Sequence, residues 1–129
     1  MPPLENLQRV PEYHLEALER QGIFTTGLLL EVSETSTRRQ YLADQIGATT
    51  NDVNEWRDEA LLLNLANFGP DEQALFTQAE IVGLSDLLAL DMPEYTLRLQ
   101  RAARALGTEM PSDLTVEGWM EQAHTLREE

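Results

Sequence analysis

The side chains that usually carry catalysis are sparse in this chain. It contains no cysteine, so it has no thiol nucleophile, no disulfide framework and no thiolate metal site. His14 and His124 lie far apart, and neither has a second histidine at i+3 or i+4 to make a paired ligand on a helix. The acid pairs Asp58-Glu59 and Asp71-Glu72 are adjacent in sequence, so on a helix their members point in different directions. They read as solvated surface acids rather than as a general acid/base pair. No Ser-His-Asp order is suggestive, and no glycine-rich loop is built to cradle a phosphate. The segment from Asn64 to Glu72 has acids and amides without the spacing of a calcium loop. The expectation is a protein that is not an enzyme and holds neither metal nor cofactor.

The arginines are the residues whose spacing could do something. Arg98, Arg101 and Arg104 lie three apart, which on a helix places them on one side over about a third of the circumference. Arg38 and Arg39 occupy a related helix earlier in the chain. A guanidinium offers forked donors that match a carboxylate, so these five are candidates for docking the acidic surface of a protein partner. The competing reading is a solvated face paired with its own acids, such as Glu94 with Arg98 at i, i+4.

Charge narrows the partners. Twenty-three acids face nine bases for a formal net charge of -14, and all nine bases are arginine. Such a field repels nucleic acid and anionic membrane. Apolar stretches such as Leu28 to Leu30 and Ala60 to Leu63 are far too short for a membrane span. Met-Pro-Pro-Leu-Glu at the start has no basic region followed by an apolar run, so a signal peptide is not expected and the cytoplasm is the default location.

The elements that would position these side chains are helices in a repeated order. Sliding the chain by 58 positions aligns Leu4 with Leu62, Leu7 with Leu65, Val10 with Phe68, Leu18 with Phe76, Ile23 with Ile81 and Leu29 with Leu87. Further on, Gly47 matches Gly107, and Val53 and Trp56 match Val116 and Trp119. The matches fall at helix-period positions, which predicts one all-α domain over residues 1–129 made of two pseudo-symmetric repeats, about 1–58 and 59–129.

Leu4, Leu7 and Val10 predict a short first helix. A corner follows at Pro11-Glu12 or at Phe68-Gly69-Pro70, and a second helix runs over about 11–21 or 70–79. Thr25 or Thr26 would cap the third helix of the first repeat and Ser85 that of the second. The fourth helices span about 35–46 and 93–106, each ended by a glycine, with Tyr95, Leu99, Ala102, Ala103 and Leu106 as one apolar stripe. A fifth starts near Thr50, and a last one after Thr115. Trp56 and Trp119 fall on apolar stripes and are expected to anchor the core. The tail Arg127-Glu128-Glu129 is expected to fray.

The segment from Leu65 to Phe76 resembles a helix-hairpin-helix unit: Phe68, Gly69 and Ala74 fit the motif, and Asn67 stands at its first glycine. The first copy fits less well, since Pro11 takes the place of the second glycine. With Gln21-Gly22-Ile23-Phe24-Thr25-Thr26, Leu29-Leu30, Arg38-Arg39, Leu42-Ala43, Gly47, Val53, Trp56, Val116 and Trp119, the whole chain resembles the domain-of-unknown-function family numbered 4332. That resemblance implies a SAM-like bundle of paired helix-hairpin-helix units. Units of this kind often hold nucleic acid through hairpin N–H groups and a helix N-terminus. Here each hairpin puts a proline and an acid, Pro11-Glu12 and Pro70-Asp71, where those donors should be. The corners are therefore expected to be structural, and the favoured function is a non-catalytic protein-interaction module.

Overall fold

In the computed structural model, which describes residues 2–128, helix starts are set by short polar side chains reaching back to first-turn amides. Thr25 Oγ1 accepts from the Leu28 N–H at 3.1 Å and opens α2 (Thr26–Val32). Thr35 does the same for Arg38 at 3.1 Å and opens α3 (Ser36–Ile46). Thr49 and Asp52 exchange bonds at 3.0 Å in a full capping box that opens α4 (Thr50–Leu63). The preceding helix, α1 (Glu12–Arg20), begins directly after Pro11.

In the second half of the chain, α5 (Pro70–Gln78) follows Gly69, and α6 (Leu84–Leu88) follows Gly83. Asp91 caps α7 (Met92–Leu106) by accepting from the Glu94 N–H at 2.9 Å. Finally, α8 (Asp113–Glu128) closes the chain. Among the described residues there is no strand; one isolated antiparallel bridge joins Pro3 and Thr25. No helix among them is long and apolar enough to cross a membrane.

The chain divides into two compact units, Met1–Asn64 and Leu65–Glu129. In the first, α4 is the central element, packing on α2 and α3, while α1 packs on α3. Its core gathers Leu18, Leu29, Ala43, Val53, Trp56 and Ala60. In the second, α5 packs on α7 and α6 on α8. Phe76, Leu87, Tyr95, Leu99, Trp119 and Ala123 fill it. Four rings meet edge-on there: Phe76 lies 4.8 Å from Phe68, 5.3 Å from Trp119 and 6.1 Å from Tyr95, a geometry that sets ring edges against ring faces.

Several expectations are corrected. The first helix is a single 3-10 turn, Leu4–Asn6; Leu7 is extended. Leu4, Leu7 and Val10 are nonetheless buried, because this arm hydrogen-bonds to the segment before α2 (Leu4 N–H to Phe24 O, 2.9 Å; Thr26 N–H to Pro2 O, 3.0 Å). Gly83 rather than Ser85 takes the cap position of α6, and the Asp86 carboxylate accepts from the Val82 and Gly83 amides. The last helix starts at Asp113, earlier than Thr115, because the Ser112 hydroxyl accepts from the Thr115 N–H. Leu106 ends the α7 stripe at 41% exposure, since the chain leaves the helix at Gly107. Helix α8 continues through Glu128, so the frayed tail is not seen at Arg127; Glu129 lies outside the described residues.

Two described residues with a Cβ, Asn67 and Glu80, have positive φ, and Glu80 is the one whose type tolerates it poorly. Glu80 adopts φ 62°, a left-handed conformation that costs a residue with a Cβ about 1–2 kcal/mol. Glu80→Gly should therefore raise stability by about 0.5–1 kcal/mol after the larger unfolded-state entropy of glycine is subtracted. Urea unfolding followed by circular dichroism measures it; a loss of stability would contradict the strain argument.

Candidate functional site

Helix α7 presents two contrasting faces. Asp91 at its cap, Pro93 in its first turn and Gly107 at φ 69° fix its ends. One face buries Tyr95, Leu99, Ala102 and Ala103. The Tyr95 hydroxyl donates to Val116 O at 3.0 Å, and burial pushes that phenol well above its usual range, so it stays a neutral donor.

The opposite face carries Leu97, 38% exposed, followed by Arg101 and Arg104 at i+4 and i+7. Arg98 pairs with Glu94 at 3.2 Å, an exposed i, i+4 contact of little energetic weight. Among the described residues no acid lies within ion-pair distance of Arg101 or Arg104. Beside this face runs a groove of about 580 Å³, walled by Thr96, Leu97 and Gln100 on α7 and by Asp113, Val116 and Glu117 on α8. Leu114, next to Asp113, is 81% exposed.

Arg38 and Arg39 have different work. Arg39 donates to Ser33 O at 2.9 Å and Glu34 O at 3.1 Å, and Arg38 to Glu31 O at 3.4 Å. Arg57 joins them from α4, reaching Leu30 O at 2.9 Å and the Ser33 hydroxyl at 2.7 Å. Ser33 in turn donates to Leu29 O. Three guanidinium groups thus satisfy the orphan carbonyls at the end of α2, where the helix dipole is negative. Burial, and then the neighbouring Arg39, lower the Arg57 pKa from its ordinary value. The forks suspected from the lysine-free composition are spent here on backbone carbonyls rather than on carboxylates. Arg38 also borders a surface pocket of about 350 Å³ with Ile23, Val32, Tyr41 and Leu42.

The hairpin corners are filled from within the chain. Gly69 N–H donates to Glu72 Oε1 at 2.9 Å, and Pro70 has no N–H to offer. Asn67 holds φ 61°, a conformation asparagine tolerates better than most residues. Phe68 is buried against Phe76 and Trp119. Pro11 caps α1 without a side-chain bond, and Glu12 is its first residue. Both tryptophans are buried. Trp119 Nε1 donates to Ala66 O at 2.9 Å, and Trp56 lies 5.2 Å from the His14 ring.

Two residues escaped the sequence. Glu59, taken as a surface acid, is 1% exposed and accepts from two consecutive amides, Gln8 N–H at 2.7 Å and Arg9 N–H at 2.9 Å. Its neighbour Asp58 pairs with Arg9 at 2.9 Å. Burial pushes the Glu59 carboxyl above its ordinary value; the two amides and the Arg9 charge oppose that without reversing it. The signal was present: Glu59 stands three residues after Trp56 and four before Leu63, inside the apolar stripe of α4. His14 is buried as well; its Nε2 lies 3.5 Å from Gly47 O, and its Nδ1 has no hydrogen-bond partner among the described residues. No group of three or more His, Cys, Asp or Glu among those residues is arranged to hold a metal ion.

The fold and site define an all-helical, strongly acidic chain in which Arg101 and Arg104, without an acid partner among the described residues, share one exposed face of α7. The chain belongs to the family described as Domain of unknown function (DUF4332), which matches residues 9–126. No curated protein and no solved structure matches it.

Proposed function

We propose that this protein is a non-catalytic interaction module of the cytoplasm, built from two helix-hairpin-helix-like repeats, that docks an acidic protein surface on the exposed face of α7. The observation that carries the docking face is the pair Arg101 and Arg104, which stand without an acid among the described residues in a chain of net charge -14. A desolvated arginine fork with a carboxylate gains more than an exposed pair, so such residues discriminate strongly between partners.

The repeat is supported by hydrogen bonds that recur 58 to 60 residues apart. Ile23 N–H donates to Leu18 O at 3.1 Å, and Ile81 N–H to Phe76 O at 2.8 Å. Gly22 and Glu80 both have positive φ, 82° and 62°. After the fourth helices, Ala48 N–H reaches Ala43 O at 2.9 Å and Thr108 N–H reaches Ala103 O at 3.0 Å. The helix-hairpin-helix likeness is supported by the left-handed Asn67 at the motif's first glycine. Nucleic acid is the disfavoured alternative, because Glu72 occupies the Gly69 amide and repels phosphate.

Changing Arg98, Arg101 and Arg104 together to glutamate should remove the arginine-dependent proteins from a pull-down while leaving the helical circular dichroism intact. An unchanged set of captured proteins overturns the docking face. A gel shift at low salt with single- and double-stranded probes tests the alternative; micromolar binding would replace this proposal.

A further inference from the structure

Charge on α7 is polarised along its length. Asp91 and Glu94 occupy its start, and Arg98, Arg101 and Arg104 run from its middle to its last turn. Within one copy this order suits the helix dipole. It also makes the helix complementary to itself when a second copy is laid antiparallel. The axis that sets Arg101 opposite Glu94 of the other copy sets Arg104 opposite its Asp91 as well, since both pairs are centred on the same point, between Leu97 and Arg98. Glu94, Leu97 and Arg101, at i, i+3 and i+7, share the exposed face, so the apolar centre and its flanking charges face the same way.

We infer that the exposed face of α7 pairs antiparallel with the same face of a second copy of this chain, about a two-fold axis beside Leu97. This rests on α7 being a docking face and names the acidic surface it takes: the first turn of the same helix. Arg101 and Arg104 each meet an acid, while Arg98 stays beside Glu94 of its own copy. The groove beside Met92 and Pro93 also holds Asp113 and Glu117, two further acids at the start of α7. Leu97 meets its own counterpart at the axis, and the half-exposed leucines lose contact with water. An isologous contact of this kind closes at a dimer and leaves no open end for a filament. One helix face buries less than the roughly 800 Å² per partner of a standard interface, and each copy repels the other with its net charge, so association is expected in the micromolar range.

Sedimentation equilibrium from about 5 to about 300 µM tests the pairing across the range expected for so small an interface. Wild type should dimerise. Arg101→Glu alone and Glu94→Arg alone should each weaken self-association roughly tenfold or more, because like charges then face each other twice. An equimolar mixture of the two variants should dimerise again, since both contacts become opposite in sign; a structural defect would not be rescued this way. Leu97→Cys, the sole thiol in a chain without cysteine, should cross-link to a disulfide dimer under mild oxidation far faster than Tyr41→Cys. A wild type that stays monomeric, or a mixture that stays monomeric, overturns the inference. A monomeric wild type whose pull-down still depends on the arginines overturns self-pairing alone. A dimer with an unchanged pull-down overturns only the separate acidic partner.

Discussion

Trp119→Ala is expected to cost about 3–5 kcal/mol, the range for removing a large buried aromatic side chain. The indole is 2% exposed, and its ring packs edge-on against Phe68 and Phe76 at 5.7 and 5.3 Å. Those rings cannot collapse into the gap without losing the edge-to-face contacts they make with each other and with Tyr95, so most of the cavity should remain. The lost Nε1 donor also leaves Ala66 O without its partner. Since small domains are stable by only about 5–15 kcal/mol, this substitution removes a large fraction of the margin. Urea unfolding followed by far-UV circular dichroism gives the number. Trp119→Phe, which keeps a ring and loses the donor, should cost about half as much. A loss under about 1 kcal/mol for the alanine variant would mean that this cluster does not hold the unit together.

Glu59→Ala should be the next most damaging change, at about 2–3 kcal/mol, because it strands the Gln8 and Arg9 amides that the carboxylate receives at 2.7 and 2.9 Å. Glutamine is a poor replacement: the two N–H groups bond different carboxylate oxygens, and its NH2 would stand at one of them and face a donor. The pH dependence has a definite sign. Burial raises the folded-state pKa of Glu59 above its ordinary value of 4.5. The folded state therefore holds that proton more tightly than the unfolded chain does. The contribution of Glu59 is fully present below pH 4.5 and is lost as pH rises through the raised folded value. The stability of wild type minus that of Glu59→Gln, measured by urea unfolding from pH 4 to pH 7, should accordingly decrease as pH rises. An increase would show that the two amide bonds outweigh burial.

Much of the architecture could be read without coordinates, for identifiable reasons. Thr35, Thr49, Gly47 and Gly107 act within a few residues of themselves, and such local signals mark helix ends directly. The α7 stripe from Tyr95 to Ala103 was legible from its period. The Leu4–Val10 arm was not, because its apolar spacing fits a helix while its backbone is recruited by the segment around Phe24–Thr26. Nor was the division of labour among the arginines. Arg38 and Arg39 sit on the helix related to that of Arg98 and Arg101, and only the placement of the end of α2 beside them directs some of their donors to its carbonyls. Glu59 was missed because its residue type argues for the surface and its partners lie 50 and 51 residues away.

Those distant partners shape how the chain can form during synthesis. In each unit the last helix returns to the unit's opening residues: Glu59 to Gln8 and Arg9, Trp119 and Gln122 to Ala66. Helices α1 to α3 can form from local signals as they leave the ribosome. The bonds from the residue 8 and 9 amides to Glu59 can form only once α4 has emerged. In each unit this long-range clasp can close only after the unit's last helix has been made. The first clasp can shut as soon as residue 59 clears the exit tunnel, before the residues that close the second have been made.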